Sequence, residues 1–247
     1  MGDPFGKAIY DYFIKGKAAD LLINSNYTED EQIPANYFFR TENEMPEIEK
    51  TALKRCKGKV LDVGAAAGCH SIILQKKGYS VTALEKSPLA AEVLKKRGIQ
   101  KVVCSDVRNF SEDTFDTILL LMNGAGIGET VEGLKGLLVH LQTLLRQNGQ
   151  VLIDSSDIHY LFEEEDGSVW MNLASEKYYG EMEYEVRYKK ETDHFKWLFI
   201  DFELLSDIAR QAGFLCRLLE TGGHFEYLAQ LEIESSVNGT KIGADNV

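Results

Sequence analysis

The chain has 247 residues, 44% of them hydrophobic, which suits one large domain with an extensive buried core. Acidic residues outnumber basic ones by 39 to 27, the formal net charge is −12, and no Lys/Arg-rich block could neutralise a phosphate backbone, so a nucleic acid substrate is disfavoured. No apolar run approaches the roughly eighteen residues of a membrane span and no basic-then-apolar leader follows Met1, so we expect a cytoplasmic protein without a membrane partner.

The first 57 residues are predicted to form a helical cap outside the core. Residues 4–24 have apolar side chains at helical spacing, and a second helix is predicted over residues 47–57. Between these helices lies an aromatic segment that ends in Arg40 and includes Tyr37. The aromatic rings could simply attach the cap to the core, whereas Arg40, polar among apolar neighbours, is the better candidate for contact with a ligand.

The segment KVLDVGAAAGCH, from Lys59 to His70, carries the most information. Its apolar start predicts a buried strand, which ends near Asp62 and breaks at Gly64 and Gly68. A helix is predicted directly afterwards, and its unpaired N–H groups would face whatever lies over the glycines. The spacing is D-x-G-x-x-x-G, with Ala66 at the position where a dinucleotide site needs its second glycine. A pyrophosphate ligand is therefore disfavoured.

With this strand–turn–helix unit the chain resembles the class I S-adenosylmethionine-dependent methyltransferases, whose turn is usually D/E-x-G-x-G-x-G. Ala66 departs from that pattern at the middle glycine. The resemblance implies an α/β fold, a doubly wound, Rossmann-like, seven-stranded sheet, with S-adenosyl-L-methionine as the cofactor. A purely structural βα turn is the alternative. In the turn, the resemblance implies that the cofactor is bound by Asp62, Gly64, Ala65, Gly68 and His70.

The second predicted strand, residues 80–84, ends in Glu85, which lies 23 residues after Asp62. In doubly wound folds an acidic side chain at this place accepts hydrogen bonds from ribose hydroxyls. We therefore predict that Glu85 binds the ribose, with Lys86 beside it. The structural alternative is that Glu85 only precedes Ser87, the cap of the next helix, and both can hold together.

The third and fourth predicted strands, residues 101–104 and 115–121, lead to the remaining cofactor candidates. The resemblance implies that an acidic residue after the third strand takes the adenine amino group. Residues after the fourth strand would lie beside the transferred methyl group. The structural alternatives are a loop cap and the start of a helix over residues 130–147. These candidates are Asp106, Val107, Met122 and Asn123.

After a fifth strand, residues 155–200 interrupt the core, and their alternating pattern around a polar turn predicts a β-hairpin insert. The methyltransferase core, residues 58–234, then closes with a helix and two strands, and residues 235–247 are predicted to form a disordered tail. We expect the cap and the insert to enclose a small acceptor. The candidates for contact with the acceptor are Tyr37, Arg40, Arg187 and Tyr188.

The predicted function is methyl transfer from S-adenosyl-L-methionine to a small molecule. A methyl sulfonium is already an activated electrophile, so alignment and exclusion of water carry the reaction, and no catalytic base is assigned. Four scattered cysteines without a C-x-x-C pair give no basis for a metal site. The alternatives are a nicotinamide-dependent Rossmann oxidoreductase and a non-catalytic protein that binds S-adenosylmethionine.

Overall fold

The computed structural model describes residues 2–25, 27, 31–162 and 177–234. The predicted disordered tail, residues 235–247, and the middle of the insert lie outside this part of the chain. The described helices are α1 (Pro4–Lys15), α2 (Glu47–Arg55), α3 (Cys69–Lys76), α4 (Pro88–Lys96), α5 (Val131–Leu144) and α6 (Phe202–Gln211). The described strands are β1 (Leu21–Ser25), β2 (Glu31–Ile33), β3 (Lys59–Val63), β4 (Ser80–Glu85), β5 (Lys101–Cys104), β6 (Phe115–Leu120), β7 (Leu145–Ser156), β8 (Glu181–Tyr188), β9 (Glu191–Leu198), β10 (Phe214–Thr221) and β11 (Glu226–Ile233).

The core is a seven-stranded sheet, as predicted, and its strands lie in the order β10-β11-β7-β6-β3-β4-β5. Strands β3 to β7 pair in parallel, whereas β11 is antiparallel to β7 and β10 is antiparallel to β11. The central strands are apolar runs because helices cover both faces of a parallel sheet. Helices α5 and α6 pack on one face, and α2 and α3 pack on the other. The order of the strands reverses between β3 and β6, and ligands of such sheets bind outside the carboxyl ends at that point.

A second, four-stranded antiparallel sheet, here called the small sheet, has the order β2-β1-β8-β9. The predicted hairpin of the insert is present as β8 and β9, joined by a tight turn at Lys189, whose φ is 55°. Strand β1 of the N-terminal segment pairs with β8, so that Ile23 lies opposite Val186. The predicted cap and the predicted insert are therefore joined by one sheet.

The prediction of a single helix over residues 4–24 is wrong after Lys15. Gly16 adopts a left-handed conformation with φ of 67°, and its N–H donates to the Tyr12 carbonyl, which ends α1. Residues 21–25 are strand β1 because Leu21 and Ile23 alternate into the core against α1 and β8. The N-terminal segment is thus a mixture of helix and strand and not a helical cap.

Among the described residues, no helix is both long and apolar enough to cross a membrane.

Candidate functional site

The turn between β3 and α3, here called the glycine turn (Gly64–Gly68), is held against the neighbouring strand β4. The N–H groups of Gly64 and Ala65 donate to the Leu84 carbonyl at 2.9 and 3.1 Å. Gly68 has a φ of 84°, and a Cβ there would lie 2.6 Å from Leu94 of α4, so this glycine allows α3 and α4 to pack closely. Ala66 also has a positive φ, 48°, although a left-handed conformation costs a non-glycine residue about 1–2 kcal/mol.

Asp62, the first of the acidic strand ends, is buried beneath the glycine turn. Its Oδ2 accepts a hydrogen bond from the Ser71 hydroxyl at 2.6 Å, and its Oδ1 lies 4.0 Å from His70 Nδ1. Burial raises the pKa of Asp62, against the opposing effects of His70 and Ser71. The carboxylate is therefore oriented by two residues of α3.

Glu85, at the end of β4, is buried as well. Each carboxylate oxygen accepts one backbone N–H at 2.8 Å, from Ala66 of the glycine turn and from Ser87 at the start of α4. Burial raises the pKa of Glu85, and these two hydrogen bonds oppose the shift. An ionised carboxylate has about four acceptor positions, so two remain for hydroxyl groups of a ligand. Lys86 beside it is exposed.

Asp106 follows β5, at the far side of β4 from the glycine turn. Its Oδ1 accepts the Arg108 N–H at 2.8 Å and caps a short 3₁₀ helix that starts at Val107, so the predicted loop-cap role is present. The Asp106 side chain is about one-third exposed, whereas Val107 is buried. The carboxylate thus retains surface that a ligand could reach.

The loop after β6 contains two consecutive residues in the left-handed conformation, Met122 and Asn123, with φ values of 68° and 56°. Asp154, at the end of the parallel strand β7, accepts the N–H groups of Met122 at 3.0 Å and Gly124 at 2.8 Å. Asn123 Oδ1 accepts the Ser156 hydroxyl at 2.9 Å. The conformation of this loop therefore depends on side chains of β7.

Asp154 belongs to the site but is absent from the sequence predictions. Burial raises its pKa to about 7, although the two N–H groups that it accepts favour the ionised form. The signal that could have found it is an acidic residue at the end of an apolar run in a further parallel strand, as for Asp62 and Glu85.

Arg40 and Tyr37, predicted to contact the substrate, are connected to Asp62 by a buried chain of polar groups. Arg40 Nη2 donates to both oxygens of Glu49 at 2.9 and 3.0 Å, and Glu49 Oε2 lies 2.6 Å from His70 Nε2. The Arg40 guanidinium stands 3.8 Å from the centre of the Tyr37 ring. Glu49, which α2 contributes, is also absent from the sequence predictions, because one acid among the charged residues of a helix carries no pattern.

The other two predicted substrate residues, Arg187 and Tyr188, are neighbours on β8 and point to opposite faces of the small sheet. The Tyr188 ring is fully buried, and its hydroxyl donates to Asp11 of α1 at 2.9 Å. The structure corrects this prediction, because a buried ring with a bonded hydroxyl presents no surface to a ligand. Arg187 lies on the face away from α1, with its Nε 3.4 Å from a carboxylate oxygen of Glu185, and its contact with the acceptor stays a prediction.

Two of the cavities in the described part of the chain adjoin α3 and the end of β7. One, of about 290 Å³, is lined by Arg40, Cys69 and Arg97 among other residues. The larger, of about 720 Å³, lies beyond β7 and is lined by Asp157, Phe225 and neighbouring residues of the β10–β11 hairpin. Within the described part of the chain, no group of three or more His, Cys, Asp or Glu residues could hold a metal ion.

A doubly wound sheet with acidic residues at successive strand ends around a glycine turn defines a class of nucleoside-binding α/β proteins. A family model of the methyltransferase domain matches residues 61–153. This chain is 41% identical in sequence to a SAM-dependent methyltransferase from Bacteroides fragilis, whose crystal structure was solved in complex with S-adenosyl-L-homocysteine. The match covers 95% of this chain and 96% of that chain, with a TM-score of 0.89. The chain belongs to the S-adenosylmethionine-dependent methyltransferases.

More distant structures share the fold alone. The sugar N-methyltransferase KedS8 from Streptoalloteichus sp. is 15% identical over 86% of this chain and 97% of its own, with a TM-score of 0.57. A S-adenosylmethionine-dependent methyltransferase from Clostridium acetobutylicum is 11% identical over 78% and 94% of the two chains, with a TM-score of 0.57. A comparison of this sequence with curated proteins found no match. The predicted enzyme class and cofactor are confirmed by family membership, and the nicotinamide alternative is not favoured.

Proposed function

We propose that this enzyme transfers the methyl group of S-adenosylmethionine to a small-molecule acceptor, with the cofactor lying across the carboxyl ends of β3, β4 and β5. The observation that carries the proposal is the spatial order of these adjacent strands, which follows the order of the parts of the ligand. The glycine turn adjoins the methionine part, Glu85 accepts from the ribose hydroxyls, and Asp106 faces the adenine amino group.

Arg40 is assigned to the carboxylate of the methionine part and not to the acceptor. Its Nε and Nη1 atoms are buried and have no hydrogen-bond partner among the described residues. A buried donor left unsatisfied costs about 1–3 kcal/mol, so a partner with acceptor oxygens is expected beside it. Arg40 is connected through Glu49 and His70 to Asp62, which lies beneath the glycine turn, and these contacts support a position of the Arg40 guanidinium near that turn.

The proposed acceptor is small because the small sheet packs against the loop after β6. A Cβ on Gly126 of that loop would lie 2.0 Å from the indole ring of Trp197, which β9 contributes. Phe195, next to Trp197 on the same side of β9, stacks on Tyr184 with ring centres 5.5 Å apart. Tyr184 and Phe195 pack in the same apolar cluster as Met122, beside which the methyl group would be presented. The acidic net charge further supports an acceptor that is not a polyanion.

The bound cofactor supplies a sulfonium methyl group that reacts without further activation. The chain's own contribution is to hold the acceptor in line with that methyl group and to exclude water, and proximity can account for several kcal/mol of the barrier. Asp154 holds the loop that would border the reacting atoms, through its hydrogen bonds to Met122 and Gly124.

The experiment has two stages. Calorimetry with S-adenosylmethionine, S-adenosylhomocysteine and NAD should give micromolar binding, about −8 kcal/mol, for the first two ligands and none for NAD. Radiolabelled S-adenosylmethionine is then incubated with enzyme and cell extract, and the label should enter the low-molecular-mass fraction. Binding of NAD alone would overturn the cofactor assignment, and label found only in RNA or protein would overturn the small acceptor. Deleting residues 1–40 is a poor test because it removes β1, the partner of β8.

A further inference from the structure

Glu49 lies at the centre of the buried contacts behind the glycine turn. It belongs to the first turn of α2 and is only 3% exposed. Both of its oxygens accept from Arg40 Nη2, and its Oε2 also lies 2.6 Å from His70 Nε2. One carboxylate therefore holds two cationic side chains from different segments, Arg40 from the aromatic segment and His70 from α3.

These contacts fix the guanidinium of Arg40 in place. Glu49 holds Nη2, and the Tyr37 ring covers one face of the guanidinium plane at 3.8 Å. The remaining donors, at Nε and Nη1, are buried without a partner in the described structure. Because an arginine presents its N–H groups in a rigid planar array, fixing one nitrogen and one face also fixes the direction of the others.

Acidic and basic side chains alternate along this series of contacts, in the order Asp62, His70, Glu49 and Arg40. Burial disfavours the charged form of His70, but the hydrogen bond from His70 to Glu49 and the nearby Asp62 outweigh it, so the pKa of His70 is raised. Without the Glu49 carboxylate, His70 would lose its partner at Nε2, and no other side chain in the described structure is hydrogen-bonded to Nη2 of Arg40.

We propose that Glu49 is a positioning residue that orients Arg40 toward the carboxylate of the bound cofactor and does not itself contact the cofactor. This inference rests on the proposed function, in which Arg40 binds that carboxylate. A charge-assisted hydrogen bond depends strongly on geometry, so an Arg40 that is free to turn would bind the carboxylate less tightly.

The test uses two ligands that differ in the amino acid part. S-adenosylhomocysteine carries the carboxylate, and 5′-methylthioadenosine lacks it. In Glu49→Gln we expect the dissociation constant of S-adenosylhomocysteine, measured by calorimetry, to rise about tenfold or more, whereas that of 5′-methylthioadenosine changes less than about twofold. The matched control is Glu47→Gln on the same turn of α2, where the exposed side chain pairs with Lys50. That control should leave both dissociation constants unchanged.

A double-mutant cycle separates positioning from a general effect on the fold. In the Arg40→Ala background, Glu49→Gln should weaken S-adenosylhomocysteine no further, because Glu49 acts through Arg40. Additive losses, equal weakening of both ligands, or an unchanged affinity for S-adenosylhomocysteine would each overturn the inference. If Glu49→Gln does not fold, Glu49→Asp keeps the charge and should show a smaller loss with the same ligand selectivity. A wild-type enzyme that binds neither ligand would instead refute the proposed function.

Discussion

The role of Glu85 gives the sharpest test of the cofactor site, because its carboxylate is expected to serve both the fold and the ligand. In the structure each oxygen already accepts one backbone N–H, from Ala66 and from Ser87. Glu85→Ala leaves both partly buried donors without this partner, at a cost of up to about 1–3 kcal/mol each, but it also relieves the burial of a charge. We expect a net loss in the free energy of unfolding of about 1–3 kcal/mol, measured by urea denaturation.

The effect on the ligand is separate from the effect on the fold. Hydrogen bonds to a charged group contribute about 1.5–3 kcal/mol, so loss of the ribose contacts should weaken S-adenosylhomocysteine by roughly 10- to 150-fold in Glu85→Ala. Calorimetry measures this on protein shown to be folded by circular dichroism. The matched control is Glu92→Gln on the exposed side of α4, whose side chain pairs with Lys96 at 3.2 Å. A folded Glu85→Ala variant with the wild-type dissociation constant would remove Glu85 from the site.

Three further predictions concern stability and are measured by urea denaturation. Gly6→Ala places a Cβ 2.0 Å from the Ser87 hydroxyl oxygen and should lower the free energy of unfolding by about 1–3 kcal/mol. The control is Gly136→Ala, whose Cβ would meet nothing within 4 Å and which should be neutral or stabilising. Equal effects of the two substitutions would contradict the prediction. Burial raises the pKa of Asp154 to about 7 in the folded protein, compared with 3.8 for an unperturbed carboxyl group. As the pH rises from 5 to 8, the folded state gives up a proton that the unfolded state has already lost, so the free energy of unfolding of the wild type should fall by about 2–3 kcal/mol relative to that of Asp154→Asn. A pH-independent difference would refute this. Ala66→Gly relieves the strain of an alanine in the left-handed conformation, but glycine also gives the unfolded chain more conformational entropy. The two effects oppose each other, so the free energy of unfolding should change by less than about 1 kcal/mol. A larger loss would show that the methyl group of Ala66 is needed.

The sequence predicts the core sheet because its signals are local. Each central strand is a short apolar run that ends at a glycine, a cap residue or an acidic residue, and the run, its end and the following helix all lie within about twenty residues. The glycine turn, Asp62 and Glu85 are found in the same way. Their partners across the turn are equally local, since Glu85 binds the N–H of Ala66, only 19 positions earlier.

The remaining features depend on contacts between distant segments. Strand β1 is stabilised by β8, more than 150 residues later, and its apolar residues fit a helix and a strand equally well until that partner is known. Tyr188 is a plausible ligand residue by its place near a polar turn, but α1 buries it. Glu49 is an ordinary acid in sequence, and only the folded chain shows that it is buried and bound to Arg40 and His70.

The small sheet and α1 together link the two sides of the site. At the β4 side, the Ser87 hydroxyl donates to Asp3 at the start of α1, and the Ser87 N–H donates to Glu85. At the β6 side, Trp197 of β9 packs on Gly126. Because β9 pairs with β8, and Tyr188 of β8 bonds to α1, these two contact points belong to one connected body.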